Sequence, residues 1–74
     1  MIHIHLSKLL GERKMKMTEL SEKTGINKNT IGELYYEKSQ MVRFDTLDKI
    51  CKALDCSISE LLEYVPEEST INQE

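Results

Sequence analysis

The sequence predicts an all-α fold of about five short helices, with a possible β-strand at the N-terminus. Three observations carry that expectation. Residues 18–36, TELSEKTGINKNTIGELYY, read as helix, sharp turn, helix. Phe44, Leu47, Ile50, Cys51 and Leu54 recur at helical spacing and predict the core stripe of another helix. Ser57-Ile58-Ser59-Glu60 has the form of a capping box, with Ser at the N-cap and Glu three residues on. Seventy-four residues make one domain near the lower size limit for an unaided core, with no room for a separate catalytic domain.

Residues 1–5 alternate. Ile2 and Ile4, joined by Leu6, fall on one side, and His3 and His5 on the other. A lone strand leaves its backbone unsatisfied. Its partner would be the same strand of a second subunit, the segment near Tyr64 and Val65, or nothing if the strand frays. The two histidines read as a solvated strand face. Helix 1 is expected over 7–14, with Leu6, Leu9 and Leu10 pointing inward.

In the second helix Leu20 and Thr24 share a face. Gly25 stops it, because the residue past a helix end often needs a left-handed backbone. Asn27 is a good N-cap for the third helix, and Ile26 with Ile31 forms a hydrophobic staple across that start. So short a link makes the two helices cross steeply. On the third helix Ile31, Leu34 and Tyr35 fall on one side, and Lys28, Asn29, Gly32, Glu33 and Tyr36 on the other. First-turn residues of such a helix reach base edges in a major groove. Asn29 can pair with adenine, Lys28 can donate to guanine, and Thr30 can touch a thymine methyl or a phosphate. Glu33 can accept from cytosine while repelling phosphate. An ordinary helical hairpin with a solvated polar face has the same periodicity. Gly32 costs about 1 kcal/mol relative to Ala, so close approach to DNA or to helix 2 is expected there.

Beyond the box at Ser57, Leu61, Leu62 and Val65 extend a fifth helix that Pro66 stops, and 66–74 reads as an acidic disordered tail. Residues 1–43 hold eight Lys/Arg against five Asp/Glu, or +3; residues 44–74 hold two against eight, or −6, which leaves −3 overall. Binding to a polyanion depends on the local excess rather than on the total. No run approaches the ~20 apolar residues of a membrane span, and the absence of a signal-peptide pattern points to the cytoplasm. Cys51 and Cys56 read as buried free thiols rather than a disulfide. With His3 and His5 they match no zinc spacing, so neither a metal nor any other cofactor is expected. No catalytic arrangement of side chains and no phosphate loop is present, which argues against an enzyme.

A family resemblance rests on specific residues: Glu19-Leu20, Lys23, Gly25-Ile26, Thr30-Ile31, Leu34 and Lys38, then Leu47-Asp48-Lys49-Ile50-Cys51-Lys52-Ala53-Leu54 and Ser57-Ile58-Ser59-Glu60-Leu61-Leu62. On these, residues 6–65 resemble a Cro/CI-type (lambda-repressor-like, XRE family) domain, in one register and without gaps. The chain is especially similar to small stand-alone members that begin with a short apolar strand. Three departures have physical consequences. Most members pair a buried arginine with a glutamate where Leu10 and Tyr35 stand; replacing both avoids an uncompensated charge, so Leu10 is expected to pack on the Tyr35 ring. Lys16 stands where Ser or Thr usually caps helix 2, and Lys cannot cap, so that helix begins nearer Thr18 or Lys16 is held there by a phosphate. Tyr36 and Glu37 replace Asn-Gly, so the third helix either runs longer or ends with strain at Glu37.

The resemblance implies a sequence-specific regulator that binds a double-stranded DNA operator, most simply a repressor acting by occupying that operator. It implies base contacts from Lys28, Asn29, Thr30 and Glu33. It implies backbone contacts from Lys14, Lys16, Met17, Thr18, Asn27, Tyr36, Lys38 and Arg43. A homodimer would bind half-sites about 34 Å apart, with Ile2, Ile4, Leu62, Tyr64 and Val65 as the candidates for its interface. The alternative is an antitoxin-like or anti-repressor module on the same fold, which the acidic balance and the missing glycine at position 37 favour. No small-molecule substrate is expected.

Overall fold

The computed structural model describes residues 1–66. The tail expected over 66–74 lies, apart from Pro66, outside the described residues. Five helices and a two-stranded sheet follow in the order β1 (Ile2–Ile4), α1 (Leu6–Glu12), α2 (Met17–Thr24), α3 (Lys28–Tyr35), α4 (Phe44–Leu54), α5 (Ile58–Leu61) and β2 (Leu62–Tyr64). The all-α expectation with a short strand therefore holds. The core draws on every helix: Leu6, Leu9, Leu10, Leu20, Ile26, Ile31, Leu34, Ile50, Leu54 and Leu61 are buried, and among the described residues no polar or charged side chain is. Tyr35 is partly buried against this cluster, of which Leu10 is a member.

Helices α1 to α4 each end in a left-handed residue. At Gly25, with φ 75°, this costs nothing, and its N–H closes on Ser21 O at 2.8 Å. The other three are Lys14, Glu37 and Asp55, with φ of 53°, 56° and 52°. Each heads a Schellman motif in which the following N–H reaches back five residues: Met15 to Leu10 O at 3.0 Å, Lys38 to Glu33 O at 2.8 Å, and Cys56 to Cys51 O at 3.0 Å. A side chain in this conformation costs roughly 1–2 kcal/mol. Of the two outcomes expected without the Asn-Gly pair, α3 takes the strained one at Glu37.

Three expectations are corrected. Helix 1 begins at Leu6 and stops at Glu12, because Lys14 turns left-handed. Phe44 is 88% exposed, not core. It lies on the flank of the α4 stripe, whose inward edge is Ile50 and Leu54, and α5 does not cover it. The fifth helix does not run to Pro66: α5 has a single turn and the chain extends from Leu62.

What ends α5 is the N-terminal strand. Of the partners open to it, β1 pairs antiparallel with β2, in the register Ile2–Tyr64, His3–Glu63 and Ile4–Leu62. His5 N–H donates to Leu61 O at 2.7 Å and Val65 N–H to Met1 O at 2.8 Å, extending the ladder at both ends. The edge of β1 that faces β2 is thus satisfied within one chain. The histidines are not a merely solvated face. His5 Nε2 lies 2.6 Å from Glu63 Oε1, and His3 Nδ1 lies 3.2 Å from Glu37 Oε1. The same Glu37 carboxylate accepts from Ile4 N–H at 3.2 Å, which ties the outer edge of β1 to the end of α3.

Candidate nucleic-acid interface

The turn between α2 and α3 is built by side chains that grip the backbone. Thr24 Oγ1 donates to Leu20 O at 2.7 Å and accepts from Ile26 N–H at 3.1 Å. Ser21 Oγ donates to Ile26 O at 2.6 Å. Ile26 is thereby clamped on both of its backbone polar groups while its side chain enters the core. Asn27 Oδ1 accepts from Asn29 N–H at 2.7 Å and caps α3 as expected. Only the Asn27 amide N–H groups are then left to donate to a phosphate. The roles of Ser21 and Thr24 escaped the sequence reading; a hydroxyl residue one and four positions before Gly25 was the available signal.

Beyond this turn α3 buries Ile31 and Leu34 and exposes Lys28, Asn29, Glu33 and Tyr36. Thr30 is half-buried at the edge of that face. It shares a cleft of about 440 Å³ with Asn27, Glu33 and Arg43, so these four expected contact residues are brought together. Lys49 lines the same cleft, a basic residue the sequence reading did not single out. Nothing lies within 4 Å of a Cβ built on Gly32. Close packing against α2 is therefore not the reason for that glycine.

Most of the residues expected to contact a DNA backbone lie in or beside two flanking loops. After α3, Lys38 Nζ sits 5.9 Å from the centroid of the exposed Tyr36 ring, a cation–π contact, and that ring meets Tyr35 edge-on at 4.9 Å. Arg43 is engaged at 3.1 Å with Asp45. An ion pair this exposed is worth about 0–1 kcal/mol, so a phosphate can replace the carboxylate. On the other side Lys14, Lys16 and Thr18 are exposed, on a turn apart from the cleft. Lys16 does stand at the N-cap of α2, with no side-chain cap bond. Its backbone N–H is met at 2.9 Å by Glu19 Oε1, the reciprocal half of a capping box. Met17 is half-buried and packs against the core, which turns it toward the fold rather than fully outward.

Among the described residues no group of three or more His, Cys, Asp or Glu could hold a metal ion. Nor, among the described residues, is any helix long and apolar enough to cross a membrane. A tight helix–turn–helix with a polar outer face on its second helix, flanked by exposed basic loops, defines a DNA-binding helix-turn-helix protein. The comparisons with known proteins agree. The chain belongs to the Cro/C1-type HTH DNA-binding domain family, whose model matches residues 5–67. It is 42% identical over 69 residues to the uncharacterized HTH-type transcriptional regulator YozG of Bacillus subtilis (strain 168), covering 93% of this chain and 82% of the relative. A crystal structure of a Bacteroides fragilis protein assigned as DNA-binding superposes with a TM-score of 0.75 at 27% identity, over 85% of this chain and 100% of that one. The transcriptional regulator VanUg gives 0.73 at 36% identity, over 89% and 87%. The family is one of DNA-binding transcriptional regulators, not of enzymes.

Proposed function

We propose that the protein is a sequence-specific repressor of the cytoplasm that binds a palindromic operator as a homodimer and excludes polymerase by occupancy. The observation that carries this reading is the outer face of α3. Lys28, Asn29 and Glu33 stand exposed in its first two turns, where a recognition helix meets base edges. Lys28 and Asn29 are the attractive contacts, and Glu33 discriminates, accepting from cytosine and rejecting a misplaced phosphate. Thr30 borders the groove-facing surface. Lys14, Lys16, Thr18, Asn27, Tyr36, Lys38 and Arg43 position the helix on the backbone without reading sequence. Met17 could offer a sugar only the part of its side chain left outside the core.

For the dimer, the sheet joins the two segments that hold the interface candidates. Ile2, Ile4, Leu62 and Tyr64 lie opposite one another across β1 and β2, with Val65 next in line. Ile2 and Tyr64 are more than half exposed and are the outermost candidates. The protein-binding alternative drew support from the missing glycine at position 37. That support weakens, because Glu37 adopts the left-handed turn itself and uses its side chain elsewhere.

Selection of duplexes from a random pool at about physiological salt tests the reading. Enrichment of a palindrome is the expected outcome, and its half-site spacing reports the dimer. A folded protein that enriches nothing would overturn the reading in favour of a protein partner.

A further inference from the structure

Cys51 and Cys56 are both free and both half-exposed, where buried thiols were expected. They occupy a particular place in the backbone. Cys56 N–H donates to Cys51 O at 3.0 Å and Asp55 N–H to Lys52 O at 3.4 Å, with Asp55 left-handed, so α4 ends in a Schellman motif. Such a motif brings the side chains of its first and sixth residues into contact, a position usually held by two apolar groups. Here the two groups are thiols. Cys51 also lines an open hollow with Phe44, Leu47, Asp48 and Ile58.

We propose that Cys51 and Cys56 are a reversible dithiol–disulfide site, oxidised by hydrogen peroxide. The backbone closes the turn before any sulfur chemistry occurs, so the disulfide forms without a search through chain conformations. The thiolate of Cys51, which the hollow opens to solvent, attacks one peroxide oxygen. The O–O bond breaks, a sulfenic acid forms, and the departing hydroxide takes up the proton that the Cys51 thiol had released, leaving as water. The Cys56 sulfur then attacks the sulfenic sulfur, the S–O bond breaks, and the Cys56 proton departs with the hydroxyl as a second water. Two thiols and one peroxide become one disulfide and two waters, the two electrons passing from sulfur to oxygen. Burial, and then the neighbouring Cys51, push the Cys56 thiol up to about 11, which makes it the poorer first attacker. The locked corner is the one from which α5 and β2 run, and Arg13 Nε anchors it to α1 through Leu54 O at 2.7 Å.

The test is peroxide treatment of the full chain at about pH 8, followed by alkylation under denaturing conditions and intact-mass measurement. The expected product is a monomer two hydrogens lighter, refractory to alkylation and restored by dithiothreitol. Cys51→Ser and Cys56→Ser should each abolish it, and Cys56→Ser should accumulate a sulfenic acid at Cys51 that dimedone traps. Both variants replace half-exposed thiols by a near-isostere, and circular dichroism checks that they fold. Wild-type chains that still take up two alkyl groups would overturn the proposal. So would chains that only gain oxygen atoms, or that form only intermolecular disulfides.

Discussion

Replacing Gly32 by Ala separates what the fold asks of that position from what the interface asks. Gly32 lies inside α3, where Gly is about 1 kcal/mol less favourable than Ala. A Cβ there meets nothing within 4 Å, so no clash offsets the gain. Gly32→Ala should therefore stabilise the protein by about 1 kcal/mol, raising Tm by roughly 4–8 °C for a domain of this size. The same methyl group stands on the face that carries Lys28, Asn29, Glu33 and Tyr36. If that face enters a major groove closely, the more stable variant should bind its operator less tightly, with a smaller loss on scrambled duplex. Thermal melting by circular dichroism and fluorescence anisotropy on selected and scrambled DNA measure the two effects on one preparation. A lower Tm would refute the steric argument. A higher Tm with unchanged operator affinity would refute close approach at Gly32.

Asn29→Ala should cost about 1–3 kcal/mol at one base pair and relax specificity there, whereas Lys38→Ala should weaken all duplexes alike and reduce the salt slope by about one; equal losses on both duplexes for Asn29→Ala would remove it from base readout. The bond from Ile4 N–H, and after it the bond from His3, hold the Glu37 carboxyl below its ordinary value of 4.5. A depressed folded-state value means that this stabilisation is present above 4.5 and is lost as pH falls through the folded value. Chemical denaturation down that range should therefore show the wild type losing stability more steeply than Glu37→Gln. Phe44→Ser should change stability by less than about 0.5 kcal/mol, whereas Leu54→Ala should cost about 2–5 kcal/mol, and denaturant midpoints compare them directly.

The helix-turn-helix was legible because each of its parts is a local event. Gly25 ends a helix, Asn27 begins one, and Ile31 with Leu34 sets the buried face, all within a few residues. The outer face of α3 followed from the same periodicity, although Thr30 and Gly32 proved half-buried. Phe44 misled for a related reason: periodicity places a residue on a stripe but does not say how far the neighbouring elements extend over it. Met17 and Arg43 show the same limit at the interface. The family resemblance implied contacts with DNA, and the fold partly engages these side chains, one against the core and the other with Asp45.

The sequence by itself determined the five helical segments, the tight turn and the polar outer face of α3, because these depend on caps, glycine and a 3.6-residue period. Tertiary structure alone decided the partner of the N-terminal strand. Residues 1–5 and 61–65 are far apart in the chain, and either could have satisfied its backbone otherwise, one between subunits and the other as helix. Pairing them ends α5 after one turn, faces His5 with Glu63, and lets Glu37 hold the strand's outer edge. Local propensity is blind to that choice, since each segment gains its hydrogen bonds only when the rest of the chain brings the other within reach.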